Sequence, residues 1–158
     1  MISLVMDTSN SYLAVGLYQD NVCLEAFQEK GSRRQSEKAI PTLKEVLDRH
    51  HIALKDVNEM IITSGPGSYT GVRVAMTIAK TLAAVSDVRI KSVSSLAAYA
   101  GMNQALSVID ARGHKVFVGV YENGLPLIKE QVMTLEDFAQ LRAEYEDFEL
   151  VGEVGCLG

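Results

Sequence analysis

Residues 106–121, LSVIDARGHKVFVGVY, repeat residues 3–18, SLVMDTSNSYLAVGLY. The two blocks stand 103 residues apart. At that one offset Asp7 meets Asp110, Val5 meets Val108, Val15 meets Val118, Gly16 meets Gly119 and Tyr18 meets Tyr121. Each block reads as an apolar strand, a polar turn and a second strand. The match runs on: Leu24 meets Leu127, and the turn Asp20-Asn21 meets Asn123-Gly124. A third strand and a helical segment follow in both halves, about Gln35 to His50 in the first and Leu135 to Arg142 in the second. Then Phe148 to Gly155 resembles Met60 to Gly67, a strand running into glycines. A repeat of this kind decides the architecture before any single element does.

Each half therefore reads strand–strand–strand–helix–strand, and the first half adds helix–strand–helix. Antiparallel hairpins combined with crossover helices give mixed sheets and an α/β class. We place the first lobe at residues 1–102 and a partial second lobe at 103–158. Two such lobes are expected to face each other across a cleft, with Asp7 and Asp110 ending equivalent strands beside it. The second half stops at Gly158, where its own glycine-turn helix should begin. It reads either as a fragment or as a shortened second lobe.

The stretch Met60 to Val85, MIITSGPGSYTGVRVAMTIAKTLAAV, is the most structured signal of the first half. A short core strand meets Ser64-Gly65-Pro66-Gly67-Ser68, which neither continues a strand nor begins a helix interior. Ser68 and Thr70 suit N-caps of the helix that follows. A strand feeding a helix through glycines aims backbone N–H groups at one spot, which attracts anions. Asp7, Gly65, Gly67, Ser68, Thr70 and Asp110 are thus the candidates for an anion or nucleotide site. The plainer alternative is a tight connection with no ligand and two aspartates that accept turn N–H groups. On the helix, Arg73, Thr77, Lys80 and Thr81 gather on one side at about 100° per residue, and apolar residues cover an arc of roughly 200°. That exceeds the stripe needed to lie on one core. It implies two burials, either inside one domain or against a partner. Pro41 interrupts the pattern of the preceding helix, so its regular part is expected to start near Ile40 or to kink there.

Composition narrows the function classes. The 158 residues are 47% hydrophobic, enough for a real core. A net charge of −5 gives no basic face for gripping a phosphate backbone, so contact with RNA would need another subunit's charge. Cys23 and Cys156 have neither metal nor redox spacing. No segment reads as a signal peptide or membrane span. His50 and His51 are adjacent and His114 stands alone, so no metal site is expected. The P-loop and the G-x-S-x-G elbow are both missing. No catalytic residue emerges.

The duplicated hairpin–helix pattern is that of the actin-like (ribonuclease H-like) superfamily with its sugar kinases and chaperones. More narrowly, Asp7-Thr8-Ser9, the block Gly65-Pro66-Gly67-Ser68-Tyr69-Thr70-Gly71-Val72-Arg73, and Ile109-Asp110-Ala111-Arg112 with Val116-Phe117 resemble the TsaB (YeaZ) family over essentially the whole chain. The resemblance implies a cytoplasmic, non-catalytic scaffold subunit. It would bind a TsaD-like paralogue, the transferase that forms N6-threonylcarbamoyladenosine in tRNA, with a TsaE-like ATPase in the complex. It would pair with itself when alone and meet tRNA only indirectly. It implies no required cofactor, with ATP or ADP at a partner interface or in the cleft as an option. The contact would be a helical bundle of residues 35–50 and 70–85, for which Ile40, Leu43, Leu47, Thr70, Val74, Ala75, Ile78 and Leu82 are the candidates. Gln35 replaces a histidine frequent in relatives, and the segment completing their second lobe is missing. The competing expectation is an ATPase or phosphotransferase of the actin and sugar-kinase type using the cleft.

Overall fold

A computed structural model describes residues 1–8, 12–30, 35–67 and 69–157. Two compact units divide the chain, Met1–Val93 and Ser94–Gly158. The sequence boundary at 102/103 differs because the short helix Ser95–Ala100 (α3) buries Leu96 and Ala100 with Ala105, Ile109 and Tyr121 of the second unit.

The first unit opens with the meander β1 (Ile2–Asp7), β2 (Tyr12–Gln19) and β3 (Val22–Lys30). Helix α1 (Gln35–Arg49) leads to β4 (Glu59–Thr63), and α2 (Tyr69–Val85) leads to β5 (Arg89–Val93). The sheet order is β3-β2-β1-β4-β5, with β4 and β5 parallel to β1. Alternation decides which face is buried. Leu4 and Met6 lie opposite Leu17 and Val15, and all four join Ala39, Leu43, Val46, Ala75, Ile78 and Ala79 in one core. Thus α1 and α2 cover the same face. Pro41 sits inside α1 without ending it. Pro41 and Glu37, whose carbonyl loses the N–H of residue 41 as its partner, are both exposed, so that carbonyl is open to solvent.

The second unit repeats the plan with β6 (Ala105–Arg112), β7 (Lys115–Glu122), β8 (Leu125–Thr134), α4 (Leu135–Glu144) and β9 (Glu149–Gly152), in sheet order β8-β7-β6-β9. Thr134 caps α4 by accepting from the Asp137 N–H. Here both faces of β6 are buried. Val108, Val116 and Val118 pack with Phe138 of α4, while Ala105, Ile109 and Tyr121 pack with α3.

Register corrects one expectation. In β1 the residues on the α1 side are Leu4 and Met6, paired with Leu17 and Val15. In β6 the residues on the α4 side are Leu106 and Val108, paired with Val120 and Val118. Val15 and Val118 correspond as the sequence predicts, but Leu4 corresponds to Leu106 and Asp7 to Ile109. Asp110 is one residue further on, paired with Val116 on the α4 side of its sheet. The strand–glycine match also shifts. Met6 pairs with Ile62 where Val108 pairs with Gly152, so Gly152 stands inside the ladder and not beyond it.

Candidate functional site

The first three residues of the site come from the ends of two neighbouring parallel strands. β1 ends at Asp7 and β4 at Thr63. Thr63 Oγ1 donates to Asp7 Oδ1 at 2.6 Å, on the sheet face away from the helices. The next residue, Thr8, is buried and points the other way. Its Oγ1 donates to the Gly71 carbonyl in the first turn of α2, also at 2.6 Å. Two hydroxyl bonds therefore fix the strand ends and the start of α2 to one another. Sequence reading named Thr8 only within the Asp7-Thr8-Ser9 block and did not single out Thr63. A hydroxyl directly after a buried strand was the available signal.

The turn between Thr63 and α2 is as glycine-dependent as its sequence suggests. Gly65 is buried with φ +98°, which a residue with a Cβ adopts only with strain. Ser64 donates to the Val93 carbonyl twice, from its N–H at 2.9 Å and from Oγ at 3.2 Å, tying the turn to the end of β5. Ser68 falls outside the described residues, as does the Thr70 side chain. Asp110 belongs to another environment. Its Oδ1 accepts the Arg112 N–H at 2.8 Å in a tight turn, and its own N–H donates to Glu153 Oε1 at 3.1 Å. Among the described residues no three His, Cys, Asp or Glu side chains gather as a metal site.

The interface candidates divide sharply. Leu43, Leu47, Ala75 and Ile78 are buried in the first unit's own core, and Leu82 packs against its edge. Much of the apolar arc on α2 is therefore consumed inside the unit: Val74, Met76 and Ala83 flank the same core. What stays open is Ile40, 57% exposed, and Val85, 73% exposed, with Val74 half-buried. The helix spacing gathers these three. A parallel β4–α2–β5 unit is right-handed. At about 100° per residue that hand turns Val74, Thr81 and Val85 toward α1, while Ile40 and Leu47 lie on the flank of α1 nearest α2. The facing flanks of the two helices thus leave apolar side chains open beside the exposed Lys44, Thr77 and Thr81.

One more electrostatic feature supports α1. Arg49 holds the Glu25 carboxylate of β3 through Nε at 3.0 Å and through a second guanidinium nitrogen, and His50 Nε2 lies 2.9 Å away. Arg49 and then His50 hold that carboxyl at about 2, well below the usual range. Lys38 pairs with Glu29 at 3.3 Å on the same side. These pairs lash the outer flank of α1 to β3 and leave its other flank toward α2.

Comparison with known proteins gives a consistent family. Residues 28–148 match the family described as "TsaD: tRNA N6-adenosine threonylcarbamoyltransferase". The chain is 32% identical to the tRNA threonylcarbamoyladenosine biosynthesis protein TsaB of Bacillus subtilis, over 91% of this chain and 67% of the relative. It is 31% identical to the Escherichia coli protein of the same name, over 77% of this chain and 57% of the relative. The chain thus spans about two thirds or less of these relatives. Among solved structures, YeaZ from Pseudomonas aeruginosa superposes with a TM-score of 0.76 at 28% identity, covering 84% of this chain and 67% of that one. No described helix is long and apolar enough to cross a membrane. With two mixed sheets of the actin-like, ribonuclease H-like kind and the GPGSYTGVR block in its sequence, the chain belongs to the TsaB family.

Proposed function

We propose that this chain is a cytoplasmic, non-catalytic subunit that binds and supports a TsaD-type threonylcarbamoyltransferase in forming N6-threonylcarbamoyladenosine in tRNA. The observation that carries the reading is the match to TsaB of Bacillus subtilis across nine tenths of the chain. The flank that α1 and α2 leave open is the partner face, centred on Ile40, Val74 and Val85. A TsaE-type ATPase joins the complex, tRNA is met through the partner, and the chain needs no cofactor of its own. Without its partner it pairs with itself through the same face. Apolar residues left open beside a rigid two-helix surface are what such an interface requires.

The test is co-purification with a TsaD-type paralogue, followed by the mass of the assembly. Ile40→Glu and Val74→Glu should abolish the complex while the circular dichroism spectrum stays unchanged. Ala75→Glu is unsuitable, because it buries a carboxylate in the core and unfolds the unit. Unaltered assembly in both variants would sink the interface. Threonylcarbamoyl transfer or ATP turnover by the purified chain alone would overturn the non-catalytic role.

A further inference from the structure

The second unit leaves one long sheet edge open. In the order β8-β7-β6-β9, β8 has a neighbour on one side only, so alternate residues turn their N–H and C=O groups outward. Most of this strand is blunted. Pro126 offers no N–H, and the pairing with β7 shifts register twice, between Val118 and Val120 and between Val120 and Tyr121. The last four residues are regular: Gln131, Val132, Met133 and Thr134 pair with Val118, Phe117, Val116 and Lys115. The corresponding edge of the first unit, β3, is tied to α1 through Glu25–Arg49 and Glu29–Lys38. Among the described residues no salt bridge ties α4 to β8.

A cavity of about 490 Å³ lies along those same four residues, with Lys115 and Asp137 completing its lining. Four consecutive strand residues alternate between the two faces of a sheet, so they share one cavity only along its edge. Met133 packs on the face of Phe138, where Asp137 stands in the first turn of α4. Val132, opposite Phe117, lies on the other face, and Lys115 is two residues from Phe117 along β7. The edge is thus a groove with Asp137 on one side and Val132 and Lys115 on the other. Charge indicates what fills it. Ser94–Gly158 holds ten Asp and Glu against four Lys and Arg, a net −6, although the whole chain carries only −5. Such a field draws in a basic segment, and Lys115 repels a base from the Val132 side. We propose that this groove takes an extended segment of a partner protein as an added strand, with basic residues toward Asp137 and apolar residues toward Val132. The two-residue period of a strand then requires basic and apolar residues to alternate in that segment.

Fluorescence anisotropy with the full chain tests it, using an end-capped peptide of alternating lysine and valine, about eight residues long. The peptide should bind, and hydrogen exchange should slow at Gln131–Thr134. Methyl groups on two alternate backbone nitrogens of the peptide remove strand bonds without changing its charge, and should weaken binding at least about tenfold. Gathering the lysines and valines into separate blocks should do the same. Asp137→Lys should also weaken binding at least about tenfold, with an unchanged circular dichroism spectrum. Equal binding of the methylated or blocked peptides refutes strand addition and leaves attraction by net charge alone. Absence of binding, or protection only outside residues 131–134, refutes the site.

Discussion

Gly65 and Gly152 offer a controlled comparison. Each ends or leaves a parallel strand, and their φ angles are nearly equal, +98° and +96°. Their surroundings differ. A Cβ on Gly65 would find Val72 Cγ2 at 3.6 Å, an ordinary contact. A Cβ on Gly152 would lie 2.2 Å from the Val108 carbonyl oxygen and 3.2 Å from its carbon. Relief requires β6 and β9 to separate by about 1 Å where the Glu153 N–H donates to that same oxygen at 2.9 Å. Gly65→Ala should therefore cost only backbone strain, about 1–3 kcal/mol. Gly152→Ala adds a lost or stretched backbone bond of about 1 kcal/mol and the displacement of a packed strand, for about 3–5 kcal/mol in all. The two glycines lie in different units, so calorimetry should be paired with hydrogen exchange at Val108 and Glu153. Gly152→Ala should accelerate exchange there and Gly65→Ala should not. Equal losses, or a Gly152→Ala loss under about 1 kcal/mol, would show that this close approach does not exist in solution.

Three further outcomes follow from buried or paired groups. Ser107 is fully buried with no partner for its hydroxyl, so Ser107→Ala should raise stability by about 1 kcal/mol in urea unfolding. Thr8→Val removes the buried bond to Gly71 while keeping shape; it should lower stability by about 1–2 kcal/mol and loosen the start of α2 in hydrogen exchange. Glu25 should titrate by NMR near pH 2, and Arg49→Met should return it toward the ordinary carboxylate range. Because the folded value lies below the unfolded one, this pairing's contribution is complete above about pH 4.5 and fades as pH falls toward 2.

Much of the fold was legible because the repeat has a physical cause where it is strongest. In both second strands a tyrosine ring lies across the glycine two residues earlier. A Cβ on Gly16 would come within 2.8 Å of Tyr18, and one on Gly119 within 2.5 Å of Tyr121. The Gly-x-Tyr signature survives because each ring needs that missing side chain. The first strands offer no such marker. Leu106 to Ile109 are buried on both faces, since α3 and α4 lie on opposite sides, and a continuous apolar run looks the same after a one-residue shift. That shift moves every side chain to the other face. The surplus apolar arc on α2 left two readings open for a related reason. Periodicity counts apolar residues but does not distinguish a flank tucked against its own sheet from one left for a partner. Ile40 was among the sequence candidates, but its separation from buried Leu43 and Leu47, and the choice of Val85, needed exposure.

Asp7 and Asp110 do not occupy equivalent places in the two sheets. Asp7 faces away from the helices and takes the Thr63 hydroxyl, while Asp110 stands on the α4 side and closes its own turn through the Arg112 N–H. The position matching Asp7 in the second sheet is Ile109, an apolar residue beneath α3. Each carboxylate already has a structural hydrogen bond that explains a strand ending there. Such bonds fix the strand ends and, through Thr8, the first turn of α2, which makes that helix a firm platform. A platform of this kind gains from rigidity what a binding interface otherwise loses to ordering. The Thr63–Asp7 and Thr8–Gly71 hydrogen bonds at this end of the sheet thus hold in place the helix on which the proposed partner surface would be built.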